Sequence, residues 1–468
     1  MKNVFWKGVL TALLFVAGTE IVAAQEDSLY LSPQYIYLDM PLVELPYQQS
    51  AISTTGGFFP SYMNPGMGFS TALSNDFYVA AHWGIKLIPF SNSEGKQAFW
   101  SRIGVYAFDA FTYWLPFSNS WLHEEYHRAV MTLRGVNSFN EVLLFPAGAT
   151  TISVSHETDE DMAMLCDQYH PDFIRLMAAG LEGQTVQNTR LQRDEFFYRQ
   201  DLYNEVLLWT NAINNTFYIA TCGWGDGDED TRRMNEAERT VAERDFTGMD
   251  LMAWAHALFN PDLPYAARGT HPSGNGIDRY ITTDKLSAEA VQYLRRQTYV
   301  DLINCLSPLM FGISRIDLGE LWGGRIYGNF SFRHHLTSFG DDNSLELLVQ
   351  LLQSESHPLN AYLVLHNYNN YKHPFGGLEV GLVDYPLWSG RVLLSSNLNG
   401  WLQPEDFFAS KGQLGGSVTM RLAANLGKGP YAVCIPYVEV GYKTKGWVAG
   451  NVYLNASPLL NAGLRWRL

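Results

Sequence analysis

The chain has 468 residues, of which 47% are hydrophobic, 14% aromatic and 17% charged. Its formal net charge is −15 and its isoelectric point is about 5.2. This acidic balance, with no long basic run, argues against binding to nucleic acid or to an anionic lipid surface.

Residues 1–24 have the pattern of a secretory signal peptide. Lys2 and Lys7 precede an apolar run at 9–17, and small residues stand where cleavage after Ala24 requires them. The mature protein is therefore predicted to be exported. No cysteine near the cleavage point supplies a lipid anchor.

The N-terminal part of the mature chain, residues 25–94, is predicted to contain strands. Three segments combine strand-like composition with glycine or proline punctuation, at 30–38, 67–74 and 77–88. These segments are expected to supply strands to the same sheet as the C-terminal part of the chain.

Residues 95–318 are predicted to form a helical domain. Apolar residues recur there at helical spacing, in segments separated by glycine, proline and polar clusters. The predicted helices cover 97–113, 159–166, 171–193, 194–222, 235–259 and 287–313, with one more between Pro116 and Gly135.

The helix before Gly135 contains the most specific motif of the chain, His123-Glu124-Glu125-Tyr126-His127. On a helix the two histidines lie one turn apart on one face, so both imidazoles can bind one tetrahedral metal ion. Glu124 then points at the water that the metal activates and can act as its base. The spacing predicts a zinc site, against the alternative of a helix with two solvated histidines.

A third protein ligand is needed, and Glu182 is the first choice. It lies on an apparently buried helix 55 positions after His127, the arrangement of zincins that take a glutamate from a following helix. The competing interpretation is that Glu182 only pairs with Arg190, within two turns of it. His156 and His271 are further candidates by chemistry alone.

The sequence around the motif resembles the site-2 protease family. In that family His-Glu-x-x-His is followed by Gly-Val and then by a strand that ends in a Phe-Pro-x-Gly type of sequence. Here Gly135-Val136 and residues 145–148 occur in the same order. The likeness covers about 27 residues, 123–149.

The resemblance implies a different third ligand, an aspartate downstream of an Asn and Pro segment. Asp278, which follows Asn260-Pro261, is therefore the alternative to Glu182, although it lacks the glycine that follows the aspartate in the family. The family also has several membrane-spanning helices, whereas after residue 24 no stretch of about 18 apolar residues is free of charge. The sequence therefore puts the membrane-helix form of that fold in doubt.

From about Gly324 the chain changes to short segments in which apolar and polar residues alternate. They are 325–334, 345–353, 360–367, 376–384, 391–398, 414–422, 432–442, 447–454 and 459–468. The alternation predicts an antiparallel sheet. It fits a barrel wall with lipid outside and water inside, and it also fits a soluble β-sandwich.

The last eight residues, 461–468, favour the barrel. Their spacing of polar, glycine, aromatic and terminal apolar residues resembles the C-terminal assembly signal of bacterial outer-membrane barrels. The 13 Trp and 26 Tyr of the chain fit aromatic girdles at the membrane interfaces. The resemblance implies a location in the bacterial outer membrane, with outer-membrane lipid and its assembly machinery as partners.

The predicted fold class is α+β, with a helical zincin-like domain inserted in or attached to an antiparallel β-barrel. The predicted domains are a signal peptide at 1–24, N-terminal strands at 25–94 that could belong to the barrel, the helical domain at 95–318 and the barrel-like region at 319–468.

Two functions are compatible with these patterns. The first is an exported, outer-membrane-associated zinc metallopeptidase in which His123, His127 and Glu182 hold Zn2+. Glu124 would be the catalytic base for hydrolysis of a peptide or protein substrate. The second is a non-catalytic outer-membrane barrel, serving as a channel, receptor or complex subunit, whose metal site is structural or vestigial.

Overall fold

The computed structural model describes residues 34–47, 64–112, 119–142, 152–237, 240–353, 358–425 and 433–468. The predicted signal peptide and the Phe-Pro-x-Gly type of sequence at 145–148 lie outside these ranges. The described chain consists of helices and a large antiparallel sheet, which confirms the predicted α+β class.

Nine α-helices lie in the described ranges. They are α1 (Met67–Leu87), α2 (Glu94–Thr112), α3 (Asn119–Leu133), α4 (Asp159–Gln168), α5 (His170–Tyr198), α6 (Glu205–Trp224), α7 (Asp228–Ala237), α8 (Asp250–Phe259) and α9 (Ala288–Asp301). Short 3-10 turns follow α9 at Leu302–Cys305 and Pro308–Phe311. None of these described helices has the length and the apolar character needed to cross a membrane.

Twelve strands lie in the described ranges. They are β1 (Tyr37–Leu45), β2 (Phe139–Val142), β3 (Ile152–Ser155), β4 (Ile316–Leu321), β5 (Gly324–Thr337), β6 (Gly340–Leu352), β7 (Pro358–Asn369), β8 (Pro374–Leu387), β9 (Val392–Pro404), β10 (Gly412–Ala424), β11 (Val433–Lys443) and β12 (Ser457–Arg467). β2 and β3 form a small hairpin, and the other ten strands form one sheet in the order β1-β12-β11-β10-β9-β8-β7-β6-β5-β4.

The large sheet has two edge strands, β1 and β4, so its described residues do not close into the predicted barrel. β1 pairs antiparallel with β12, for example Tyr37 with Arg467. A strand of the N-terminal segment therefore belongs to the same sheet as the C-terminal strands.

Two predictions of local structure are wrong. The segments 67–74 and 77–88, predicted as strands, form the single helix α1, and residues 447–454 form a loop between β11 and β12. The buried face of α1 contains Ser70, Ser74 and Asn75 while Phe77 is exposed, so the usual helical pattern of apolar burial is weak.

Helix boundaries also differ from the prediction. The expected break between residues 193 and 194 lies inside α5, which continues to Tyr198. The expected helix at 235–259 is divided between the end of α7 and α8. In α5 the polar residues that suggested a break, such as Arg193, pair with the sheet instead of ending the helix.

The two faces of the large sheet have opposite character. One row of paired residues on the outward face crosses eight strands: Phe330, Leu347, Leu363, Val380, Leu398, Val418, Tyr442 and Pro458. The adjacent row on the inward face consists of Ser331, Glu346, Val364, Glu379, Asn399, Ser417, Lys443 and Ser457. Leu398 is 64% exposed whereas Glu346 is 1% exposed, so the sheet buries its polar face.

Helix α5 connects this sheet to the apolar core around the motif helix. That core, here called the helical body, is formed by α3, α4, the first half of α5, α8 and α9. The second half of α5 lies on the inward face of the sheet, where Arg190 pairs with Asp39 of β1 and Arg193 pairs with Glu346 of β6. One helix is therefore shared by the two regions of the molecule.

Candidate metal site

The motif helix α3 is buried on nearly all sides. It extends over Asn119–Leu133, as the sequence predicts, and Gly135 follows with a φ of 74° that ends it. Leu122 and Val130 are fully buried in the core of the helical body. With these apolar side chains fixed in the core, the motif histidines face α5 and α8.

Helix α3 approaches α5 closely because α5 has glycine at both points of contact. A Cβ at Gly180 would stand 2.3 Å from His123 Nε2, and a Cβ at Gly183 would stand 2.9 Å from the Tyr126 ring. A larger residue at either position would push the two helices or the side chains apart. The glycines therefore set where the motif lies.

His127 is fully buried and its ring is oriented by the backbone of α5. Its Nδ1–H donates a hydrogen bond of 2.5 Å to the Leu176 carbonyl oxygen, which leaves Nε2 as the atom available to a cation. Among the described residues Nε2 has no hydrogen-bond partner, and it lies 3.4 Å from Asp250 Oδ2. A proton on Nε2, or a metal ion held between Nε2 and the carboxylate oxygen, would make this close approach favourable.

Asp250 completes a group of three metal-ligand side chains. His123 Nε2 lies 3.1 Å from the same Asp250 oxygen, and the ligand atoms of His123, His127 and Asp250 lie within 4.8 Å of one another. Ligands about 2.0 Å from a tetrahedral zinc ion stand roughly 3.3 Å apart, close to both measured distances. The three residues therefore fit a zinc ion, and they form the only such group in the described part of the chain.

The chain before Asp250, which includes a 3-10 turn at Val241–Glu243, runs beside β3. The His156 N–H donates to the Ala242 carbonyl oxygen at 3.1 Å, and the Phe246 N–H donates to the Val154 carbonyl oxygen at 3.0 Å. The β2–β3 hairpin itself packs on α3. These contacts align residues 242–246 with the motif helix and bring α8 to the histidines.

The turn into α8 is held by specific polar contacts. The Asp245 carboxylate accepts the backbone N–H of Gly248 at 2.7 Å, and Gly248 has a φ of 78° that favours glycine. The Asp250 N–H donates to the Tyr218 hydroxyl oxygen on α6 at 3.0 Å. These bonds place the Asp250 carboxylate at the first turn of α8, beside His123.

The pKa values at the site are set by burial and by the interaction of Asp250 with the two histidines. Burial would raise the pKa of Asp250, but the imidazoles of His127 and His123 outweigh it and hold that pKa well below its usual range. Burial lowers the pKa of His123, which favours the neutral form that binds metals. For His127 the attraction of Asp250 outweighs burial and raises the pKa. Burial raises the pKa of Glu124 well above its usual range, and the charges of Asp250 and Asp245 add to the rise.

The structure does not bring Glu182, the first-choice third ligand, to the histidines. Its carboxylate accepts a 2.6 Å bond from Arg175 and a 2.8 Å bond from the Gly450 N–H in the loop between β11 and β12. Both side chains of the ion pair are almost fully buried. Glu182 therefore joins the helical body to the sheet, and Asp250 occupies the third position at the histidines instead.

The other candidate ligands have partners away from the site. Asp278, the alternative third ligand, accepts bonds from Asn235 at 3.0 Å and Lys285 at 2.7 Å. His156 Nδ1 bonds the Ser155 hydroxyl, and His271 Nδ1 bonds the Ser273 hydroxyl. None of the three is in the group of metal-ligand side chains.

Sequence reasoning missed Asp250 because nothing local distinguishes it from other acidic residues. It lies 123 positions after His127, at the start of a helix, where an aspartate commonly only favours the helix N-terminus. The one available signal was the type of ligand, because the resemblance to site-2 proteases implied an aspartate and not a glutamate. The position became visible only once α8 was placed against α3.

Comparison of this chain with protein-family models, with curated proteins and with solved structures gives no match.

Proposed function

We propose that the protein is an exported zinc metallopeptidase associated with the bacterial outer membrane. The observation that carries the proposal is the convergence of His123, His127 and Asp250 on one point, with Glu124 beside them on a His-Glu-x-x-His helix. Three protein ligands of this kind leave a fourth zinc position open for water or substrate, which is the arrangement of catalytic zinc sites.

The residues around the site have distinct roles in this proposal. A zinc ion bound by the three ligands supplies a Lewis acid for attack on a peptide carbonyl. The charge of a bound zinc ion would offset the burial that raises the pKa of Glu124. The Glu124 carboxylate would then accept a proton from the attacking water and return that proton to the leaving amine. The Leu176 carbonyl keeps the His127 ring in the orientation and tautomer that metal binding needs.

The proposed location in the outer membrane is supported by the reversed polarity of the large sheet. Its outward rows are apolar and exposed, as in Leu398 and Val418, while its inward face contains buried ion pairs such as Arg465 with Asp384 at 2.6 Å. A soluble sheet buries its apolar face, whereas a sheet in lipid exposes it. This pattern also supports the interpretation of residues 461–468 as an outer-membrane assembly signal.

The first test is the zinc content of purified protein, measured by mass spectrometry beside a His123→Ala, His127→Ala double variant. We expect one zinc ion per chain in the wild type and none in the double variant. A wild-type protein that binds no metal after incubation with zinc would contradict the proposal.

Two further variants separate metal binding from catalysis. Asp250→Asn should lose zinc whereas Asp278→Asn should keep it, which identifies the third ligand. Glu124→Gln should keep zinc but hydrolyse peptides about 10² to 10⁴ times more slowly, because the general base is removed. Equal hydrolysis by Glu124→Gln and wild type would refute the role of Glu124.

One observation favours a second function, a non-catalytic outer-membrane protein with a structural metal. The site is shielded from solvent, since the side chains of His123 and Asp250 are 14% and 7% exposed, and this burial limits the access of a peptide substrate. In that case the protein would bind zinc, cleave no peptide, and lose stability when zinc is removed with a chelator.

A further inference from the structure

The open side of the large sheet is filled by helices. α1 packs on β1, α2 packs on α1, and α6 packs on α2. α6 in turn packs on the turns Leu302–Cys305 and Pro308–Phe311, which pack on β5. The described elements therefore form a continuous circuit around the second half of α5, in which helices stand where further strands would close a barrel.

Backbone groups of β1, and of the part of β5 that extends beyond β4, are bonded by this helical side. At the β1 edge the Asp39 N–H donates to the Asp76 carboxylate of α1 at 2.9 Å. At the β5 edge the Phe332 N–H donates to the Leu306 carbonyl oxygen at 3.2 Å, and the His334 N–H donates to Asn304 Oδ1 at 2.8 Å. Lipid cannot satisfy the hydrogen bonds of an open sheet edge, so such capping is what a sheet placed in lipid needs.

The helices of the circuit expose large apolar side chains, as the outward face of the sheet does. Their outward side chains are large and apolar, and include Phe77, Leu87, Phe99, Ile103, Phe111, Phe217 and Trp224, each at least 36% exposed. On α2 the outward residues Phe99, Ile103, Ala107 and Phe111 recur every four positions, which forms one stripe along the helix. This stripe lies on the side of the circuit that faces away from α5.

The inward sides of the same helices contain buried polar residues that are connected by hydrogen bonds. His82 of α1 bonds Asp109 of α2 at 2.6 Å and Asn204 at 2.9 Å. Asn211 of α6 donates to Gln187 of α5 at 2.9 Å. Apolar residues such as Val79 and Leu207 are buried among them, so these helices have apolar side chains on the outward side as well as on the inward side.

Exposed tryptophans mark one end of both the sheet and the helical side. Trp322 and Trp388 lie in the β4–β5 and β8–β9 turns and are 77% and 74% exposed, and Trp466 lies near the end of β12. Trp100 lies near the start of α2, one turn after Gln97, which bonds back to the end of α1. The start of α2 lies at the same end of the molecule as the β8–β9 turn. Lys86 at the end of α1 donates to Asp201 just beyond α5, and Tyr198 at the end of α5 donates to Asp384 of β8.

We propose that α1, α2 and α6 complete the lipid-contacting wall of the protein between β1 and β5, with their outward apolar side chains against the acyl chains of the bilayer. The inference rests on the proposed membrane location and extends it from the sheet to the helices. Three features favour lipid over a partner protein. The helices continue the outward surface of the sheet, they bond backbone groups of β1 and β5, and their exposed Trp100 lies at the same end as the exposed tryptophans of the sheet.

The test places the photoreactive residue p-benzoylphenylalanine at Ile103 on α2, at Leu398 on the sheet and at Arg233 on α7. Each variant of the full-length protein is reconstituted into phosphatidylcholine vesicles, irradiated and analysed by mass spectrometry. We expect a mass shift of one phospholipid at Ile103 and at Leu398. The Arg233 position is a solvent control, since its side chain is 68% exposed and polar.

The outcomes separate this inference from the proposed location. Lipid adducts at Leu398 but not at Ile103 would overturn the helical wall and leave the membrane location standing. Adducts at neither position would overturn both. A protein adduct at Ile103, with this chain or another, would replace lipid by a protein partner and also overturn the inference.

A second measurement avoids a bulky substitution. Vesicles with brominated acyl chains quench the fluorescence of tryptophans that contact lipid, and Trp100→Phe should remove part of the quenched signal. Trp254→Phe is the matched control, because Trp254 is fully buried in the helical body and should contribute no quenching. Equal quenched signal in wild type and Trp100→Phe would count against the wall.

Discussion

The helical body and the large sheet differ in the kinds of side chain that they bury and expose. Around α3 and α8 the fully buried side chains are mostly apolar, as in Leu122 and Trp254. On the sheet the outward rows expose apolar side chains. The inward face buries charged and polar ones, such as Glu346 and Arg333 at 2.9 Å, together with apolar ones such as Leu348. The difference teaches that one chain combines a region with the usual apolar interior and a region that exposes apolar side chains and buries ion pairs. This contrast is what supports the proposed membrane location of the sheet.

The largest expected effect comes from the contact that joins the two regions, the buried pair of Glu182 and Arg175. Glu182→Gln leaves the Arg175 charge buried without a counter-ion, which should lower the free energy of unfolding by about 3 to 5 kcal/mol. Denaturant unfolding measures the change. The exposed pair of Glu405 and Lys445 is the control, and Glu405→Gln should have little effect.

The same variant distinguishes structure from metal binding. Glu182→Gln protein that remains folded should still bind zinc, since its carboxylate does not reach the histidines. Loss of zinc from folded Glu182→Gln protein would instead restore Glu182 as the third ligand.

The outward face of the sheet gives the next largest effect. Leu398→Arg in lipid vesicles should lower the free energy of unfolding by about 2 to 4 kcal/mol, because a charge is placed in the bilayer. Leu263→Arg, at an exposed leucine of the helical region, should change it by no more than about 0.5 kcal/mol. A similarly small change in the free energy of unfolding at both positions would contradict a lipid-facing sheet.

The close approach of α3 to α5 predicts a smaller and more specific effect. Gly180→Ala adds a Cβ that would meet His123 Nε2, so zinc affinity should fall by about 10- to 100-fold. Gly84→Ala is the matched helical control, because nothing lies within 4 Å of its added Cβ. Zinc titration with a competing chelator measures both, and unchanged affinity in Gly180→Ala would show that α5 does not set the His123 position.

The smallest effect is a pH dependence within the helical body. Burial lowers the pKa of His256 from its usual 6.5 to about 4, and Arg268 and Lys285 add to the decrease. The unfolded chain therefore binds a proton more readily, so the His256 contribution to stability is complete above pH 6.5 and is lost as the pH falls towards 4. His256→Gln should flatten this part of the stability curve, and parallel wild-type and variant curves would exclude the effect.

The sequence predicted the elements whose burial follows simple patterns. The motif helix has caps and one apolar stripe, and eight of the alternating segments after Gly324 correspond to β5 to β12. The α1 helix was mistaken for strands because its buried side mixes polar residues such as Ser74 with apolar ones such as Val79, while Phe77 is exposed. This mixture weakens the helical pattern. The strands of the sheet were predicted correctly although their apolar face is outward, because the alternation of apolar and polar residues has a period of two whichever face is buried.

The candidate site was predictable only in its local part. His123, Glu124 and His127 lie within five residues, so helix geometry alone relates them. Asp250 comes from a separate helix, whose position depends on the contacts of Ala242 and Phe246 with β3. Glu182 instead pairs with Arg175 and with the loop between β11 and β12. Such choices among acidic residues are decided by tertiary packing, which a single sequence does not display.

The length of α5 makes this helix a lever between the sheet and the site. From Arg193, which is fixed on the sheet by Glu346, to Leu176, whose carbonyl oxygen orients His127, the helix spans about 26 Å. A one-degree swing about the sheet end would displace that oxygen by about 0.4 Å over this span. Hydrogen bonds weaken steeply with such changes in geometry. A tilt of α5 relative to the sheet would thereby change the geometry of the candidate metal site.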